Sequence, residues 1–223
     1  MNLLANLLTS LSLLCGFASV VFSLERNFTF ASWAIVFAVV FDGLDGPAAR
    51  LNQGSSEFGK QFDSLVDAVV FGIAPSILGY TFVYKDFHIF ATLALFMYLA
   101  ASVVRLARYN LTPSDKMATY FYGLPTTVSG GLLASFILIC LKYNQVPSPI
   151  LFLSLVLFLA FLMVSNARYL NLYGLRLVLD KFVGVFLVFA LLAVIFFPQA
   201  VLFLFFSLYI ILSPFVATKQ QSK

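Results

Sequence analysis

Long apolar blocks alternate with short polar breaks along the whole chain, and each break carries charge, Pro, Gly or Asn. A helix needs about 20 apolar residues to cross the hydrocarbon of a bilayer. The blocks divide into candidate spans at Leu3–Leu24, Phe30–Leu51, Phe58–Tyr84, Ile89–Asn110, Leu124–Leu141, Ile150–Val164, Phe182–Phe197 and Val201–Ala217. The pattern predicts an all-α, polytopic transmembrane helix bundle of about eight spans, with residues 1–223 as one integral-membrane domain. The break at Pro198–Ala200 is weak, so a re-entrant hairpin is the alternative for the last two spans. No Lys or Arg precedes the first block and no small-residue cleavage site follows it, so it reads as a retained span rather than a removed leader.

Composition agrees with this division. Hydrophobic residues make up 62% of the chain and charged residues 10%, and the mean hydropathy of +1.01 excludes an ordinary soluble domain. The position of the basic residues says more than the net charge of +4. With an even number of spans, Arg50, Lys60, Arg105, Arg108, Lys116, Arg168, Arg176, Lys181, Lys219 and Lys223 share the side of both termini, against Arg26, Lys85 and Lys142 opposite. By the positive-inside rule both termini face the cytoplasm. Cys15 and Cys140 lie in apolar runs without metal-type spacing and read as buried small hydrophobes. His88 falls in a break on the opposite side and reads as a solvated loop residue. No internal repeat or linker stands out, the lipid bilayer is the evident environment, and no nucleic acid is expected as a partner.

The acidic residues are distributed unevenly. Nine occur in all, yet Asp42, Asp45, Asp63 and Asp67 fall at the facing ends of the second and third spans. An Asp within a membrane helix costs about 3 kcal/mol on insertion scales, so such a group calls for neutralisation in the folded protein. At about 100° per residue, Asp42 and Asp45 lie one turn apart beside Gly46 and Ala49. Gly59, Asp63 and Asp67 recur at every fourth residue on one face of the next helix. Two acidic stripes can therefore oppose each other. Carboxylates without Cys or His are hard oxygen ligands suited to magnesium, calcium or manganese, and magnesium or manganese is the natural companion of phosphate. Gly46, Ala49 and Gly59 leave room for a base or phosphate near the backbone, or simply allow close helix packing. Pro47 is expected to kink the second span beside the acids.

These positions read Asp42-x-x-Asp45-Gly46-x-x-Ala49-Arg50, then eight residues, then Gly59-x-x-x-Asp63-x-x-x-Asp67. The string resembles the signature of the CDP-alcohol phosphatidyltransferase family at each fixed position and gap. The resemblance implies that the four aspartates hold two divalent ions, Mg2+ or Mn2+, that Asp67 is the catalytic base or stands beside it, and that Gly46, Ala49, Arg50 and Gly59 hold the CDP-lipid. It also implies a homodimer with one site per subunit.

The acceptor alcohol is indicated by the flanks. Asn6–Gly16, Phe58–Pro75, the run Arg105–Asn110 followed by Gly123-Leu124-Pro125, and Ser165–Tyr169 resemble the serine-using branch of the family. Ala5 stands where many members have Pro. The resemblance implies transfer of a phosphatidyl group from CDP-diacylglycerol to L-serine with release of CMP, on the cytoplasmic side of the cell membrane. Alternatives are another acceptor (glycerol phosphate, inositol phosphate or choline) or an archaeal ether-lipid donor. A cation or proton transporter is the distant alternative; it would spread acids through the membrane depth, whereas these cluster at one end. Arg105 and Arg108 lie three residues apart on one expected helix face, either to hold a serine carboxylate or phosphate or to meet anionic headgroups. The same two readings are open for Lys60. Tyr120, Tyr122 and Gly123 are expected in a loop, as an aromatic lid or an interfacial belt.

Overall fold

The computed structural model describes residues 3–51, 57–83, 88–111, 120–145, 147–170 and 198–219. They form α1 (Leu3–Leu24), α2 (Phe28–Leu51), α3 (Glu57–Asp67), a π-helical segment (Ala68–Ile73), α4 (Ala74–Val83), α5 (His88–Leu111), β1 (Tyr120–Tyr122), α6 (Thr126–Lys142), α7 (Pro149–Val164), β2 (Arg168–Leu170) and α8 (Pro198–Lys219). The α3, π and α4 segments are consecutive, so Glu57–Val83 runs as one rod. Four helical stretches are long and apolar enough to cross a membrane: Leu3–Leu24, Phe28–Gly46, Glu57–Val83 and His88–Leu111. Among the described residues, shorter apolar helices at Thr126–Lys142, Pro149–Val164 and Pro198–Pro214 join the bundle. The candidate span Phe182–Phe197 lies outside the described residues, as do Lys116, Arg176 and Lys181. His88, expected in a loop, is instead the exposed first residue of α5.

In α1 the small and polar residues face inward while the large apolar ones face outward. Ala5, Thr9, Ser12, Gly16, Ser19 and Ser23 are buried, at alternating steps of four and three. Leu7, Leu14 and Phe17 are exposed, as suits a surface bathed in acyl chains. Hydrophobic burial gives little drive between helices in lipid, so close backbone approach takes its place. Gly16 shows how close: a Cβ there would stand 2.7 Å from Val70 Cγ2 and 3.1 Å from Val70 Cα. Ser12 donates a hydrogen bond to the Ala38 carbonyl at 3.3 Å, tying α1 to α2.

The helix ends away from the acidic residues have their own closure. Arg26 and Asn144 adopt positive φ, 59° and 50°. Beyond them, Asn27 N–H reaches Phe22 O at 2.8 Å and Gln145 N–H reaches Cys140 O at 2.9 Å. These are left-handed C-terminal caps that satisfy the last carbonyls of α1 and α6. Lys142 and Gln199 meet at this same end, at 3.2 Å. The interior between the ends is aromatic: Phe152 contacts Phe82 and Phe136, and Phe136 contacts Phe203, with centroids about 6 Å apart, joining α4, α6, α7 and α8.

Two features depart from a plain helix bundle. The rod Glu57–Val83 widens into a π-helix at the residue after Asp67. The widened turn disturbs the regular ladder, and the hydroxyl of fully buried Tyr98 donates to the Phe71 carbonyl at 3.2 Å. The segment expected as a loop after α5 also carries a strand. β1 pairs antiparallel with β2, with Tyr120 opposite Leu170, Phe121 opposite Tyr169 and Tyr122 opposite Arg168. Buried Tyr169 stacks on Tyr209 of α8, and the Arg168 guanidinium lies over the Tyr122 ring.

Gly123 joins this strand pair to α6. Its φ of +79° is in the glycine-favouring region, and a Cβ there would lie 2.2 Å from the Met163 carbonyl oxygen. Gly43 of α2, by contrast, has nothing within 4 Å of the corresponding position. Gly123→Ala should therefore destabilise the folded protein by about 2 kcal/mol or more, whereas Gly43→Ala should be neutral or add up to about 1 kcal/mol of helix propensity. Thermal unfolding of both variants in detergent checks this, and equal midpoints for the two would contradict the packing described.

Candidate active site

Both acidic stripes fall on regular α-helix. Asp42 and Asp45 lie in α2, which continues past Pro47 to Leu51. Asp63 and Asp67 lie in α3, one turn apart, and the π-segment begins only after Asp67. The helix ends converge as the spacing predicts. Carboxylate oxygens of Asp42, Asp63 and Asp67 lie within 4.8 Å of one another. Asp42 faces Asp67, and Asp45 faces Asp63, so all four acids belong to one cluster. Asp67 is the deepest, at 9% exposure.

Three elements outside the acidic helices support the cluster. Thr9 of α1 places its hydroxyl 3.0 Å from Asp45 Oδ2 and also 3.0 Å from the Ala5 carbonyl. Its one proton serves one of these acceptors at a time. Thr127 of α6 donates to Asp42 Oδ2 at 3.1 Å. Arg105 of α5, only 7% exposed, is the cation whose field reaches both Asp42 and Asp67. Its Nη1 donates to Thr126 Oγ1 at 3.3 Å, and its guanidinium lies 5.6 Å from the Tyr109 ring centroid. A bond between Ser64 and Asn110 fastens α3 to the end of α5 beside them.

The donor set fits a divalent metal ion. Asp63 Oδ1 and Asp67 Oδ1 are buried without a hydrogen-bond partner among the described residues. A buried carboxylate oxygen left unpaired is costly, and several facing one another compound the cost by repulsion. Hard oxygen donors of this kind suit a divalent cation such as magnesium, calcium or manganese. Among the described residues Arg105 is the one buried cation beside the four acids, so added positive charge has a place among them.

The remaining predicted residues are placed as follows. Gly46 opens on free space, with nothing within 4 Å of where a Cβ would stand. Gly59 is half-buried and Lys60 exposed at the start of α3. The side chains of Ala49 and Arg50 lie outside what the structure describes. Arg105 and Arg108 engage different partners. Arg108 turns to the end of α7, where it donates to the carbonyls of Val164, Ser165 and Tyr122 at 3.2, 3.1 and 2.9 Å and to Asn166 Oδ1 at 3.4 Å. It thereby covers orphan carbonyls of α7 and fixes the β1–α6 junction.

The sequence alone marks no role for Thr9, Thr126 or Thr127. The available signal was local: two hydroxyls directly follow Gly123-Leu124-Pro125, in the first turn of a helix whose start lies at the acidic end.

Known proteins resemble the chain in sequence. The family model for CDP-alcohol phosphatidyltransferases matches residues 2–212. A CDP-diacylglycerol–serine O-phosphatidyltransferase of Helicobacter pylori is 34% identical over 211 residues, covering 94% of this chain and 88% of the relative. One of the same name from Bacillus subtilis is 30% identical over 169 residues, 76% of this chain and 90% of the relative. An archaetidylserine synthase of Methanothermobacter thermautotrophicus is 32% identical over 170 residues, 74% and 69% of the two chains. With its acidic signature assembled in one cluster and the match spanning nearly its whole length, this chain belongs to the CDP-alcohol phosphatidyltransferase family.

Proposed function

We propose that the protein transfers the phosphatidyl group of CDP-diacylglycerol to the hydroxyl of L-serine, releasing CMP, as a phosphatidylserine synthase of phospholipid biosynthesis. The observation that carries this reading is the convergence of Asp42, Asp63 and Asp67 within 4.8 Å beside buried Arg105. The serine acceptor is supported by the names of the relatives, which match this chain over 94% and 76% of its length.

Asp42, Asp45, Asp63 and Asp67 would hold two ions, Mg2+ or Mn2+. When bound, the ions supply charge neutralisation at the pyrophosphate and at the departing CMP. Gly46 and Gly59 would let the CDP moiety approach the backbone, with Ala49 and Arg50 beside it and exposed Lys60 at the rim for phosphate. Asp67 would take the proton of the serine hydroxyl. The serine oxygen then bonds to the lipid-linked phosphorus as the bond from that phosphorus to the CMP oxygen breaks, in a single displacement.

Arg105 is the cation we assign to the serine carboxylate. Its Nε is buried and without a partner among the described residues, while Nη1 is engaged by Thr126. Arg108, occupied by three backbone carbonyls and Asn166, is assigned to scaffold rather than substrate.

The cytoplasmic membrane, eight spans and cytoplasmic termini belong to the same proposal. Arg105, Arg108 and Arg168 gather at the acidic end and Lys142 at the other, which supports a cytoplasmic site under the positive-inside rule. A homodimer is proposed from the family resemblance. One second reading has a specific observation behind it: the archaetidylserine synthase relative favours an ether-lipid donor with the same acceptor.

CMP release by the purified protein, with Mn2+ or Mg2+ and with diacyl and ether CDP-lipids, should depend on serine and stop on chelation. Release driven instead by glycerol phosphate, inositol phosphate or choline would overturn the acceptor. Asp67→Asn should lower kcat by about 10³-fold while CDP-lipid binding persists. Equal loss of both would confine Asp67 to holding metal. Arg105→Gln should raise the KM for serine about tenfold or more with a smaller change in the KM for CDP-lipid, and the reverse order would remove Arg105 from the acceptor site.

A further inference from the structure

Several helical hydroxyls among the described residues turn back on their own helix. Ser10, Ser23, Ser76, Thr81 and Thr92 each donate to the carbonyl four residues earlier. Thr9 does so as well, and so shares its proton between Ala5 and Asp45. Thr127 differs. It lies in the first turn of α6, where no preceding helical turn offers a carbonyl, and its hydroxyl instead reaches Asp42 Oδ2, 85 residues away in sequence.

The backbone carrying Thr127 is anchored on several sides. Gly123 N–H bonds to the Ala167 carbonyl at 2.8 Å and Leu124 N–H to the Leu162 carbonyl at 3.1 Å. Arg108 grips the carbonyl of Tyr122 just before them, and Thr126 is engaged by Arg105. β-Branching restricts the Thr127 side chain further. A fixed donor on one oxygen of Asp42 restrains the rotation of the whole carboxylate, which has an oxygen within 4.8 Å of oxygens of Asp63 and Asp67.

We propose that Thr127 is a positioning residue that fixes the Asp42 carboxylate for metal binding; this rests on the reading of the acidic cluster as a divalent-metal site. Thr127 touches neither substrate nor metal in this role. It acts through Asp42, as the hydrogen-bond partners behind metal ligands do elsewhere. Thr9 performs the weaker version for Asp45, because its proton has a second acceptor within its own helix.

The test is Mn2+ binding to full-length protein in detergent without substrates, read as loss of the free-ion electron paramagnetic resonance signal. Thr127→Val keeps the shape and removes the donor, and it should weaken Mn2+ binding about tenfold or more. Thr127→Ser restores the donor and should stay within about threefold of wild type. Thr126→Val, whose hydroxyl faces Arg105 rather than a carboxylate, should stay within about twofold. Wild-type affinity in Thr127→Val, or equal weakness in the Val and Ser variants, would overturn the proposal. Undiminished binding in Asp42→Asn would instead overturn the metal reading beneath it, so the two failures are distinguishable.

Discussion

A carboxylate held away from water must meet positive charge or donated hydrogen bonds, and this protein gathers four carboxylates at one end of an apolar bundle. That constraint organises the surrounding elements. Arg105 supplies one buried positive charge, Thr127 one committed hydroxyl and Thr9 one shared hydroxyl. Asp63 Oδ1 and Asp67 Oδ1 still lack partners among the described residues. The residual demand is one that a divalent ion would meet, which links the shape of the bundle to the chemistry proposed for it.

The scaffold serves the same end through close approach rather than hydrophobic burial. The small-residue stripe of α1 lets that helix sit against α2 and the π-segment, bringing Thr9 to Asp45. The π-segment directly follows Asp67, and buried Tyr98 covers one of its carbonyls. On the opposite flank, Gly123, Arg108 and the β1–β2 pair form a rigid junction that delivers Thr126 and Thr127 to opposite charges, one to an arginine and the other to an aspartate. Hydroxyls suit this work because each can accept or donate, and they cost little to place in lipid beside a partner.

The parts of this arrangement governed by local periodicity were readable from the sequence. The first span, Leu3–Leu24, coincides with α1, and the fourfold spacing of Gly59, Asp63 and Asp67 falls on one α-helix as expected. The convergence of the two acidic stripes followed from their places at facing helix ends. What could not be read depends on tertiary neighbours. Arg105 and Arg108 share a spacing that suggests a common face, yet Thr126 engages one and the end of α7 engages the other. The β1–β2 pairing joins residues nearly 50 positions apart within segments too short to show strand periodicity. The Thr127–Asp42 bond spans 85 residues, and a threonine two positions after a proline carries no mark of its distant partner. The π-segment likewise left no trace in an apolar run whose period reads as α.

The central claim is that the carboxylates of α2 and α3 form a divalent-metal site. It is tested most directly by anomalous diffraction from crystals of the protein grown with manganese. The account predicts two strong anomalous peaks among the carboxylates of Asp42, Asp45, Asp63 and Asp67. Well-ordered density for these side chains without an anomalous peak between them would contradict it.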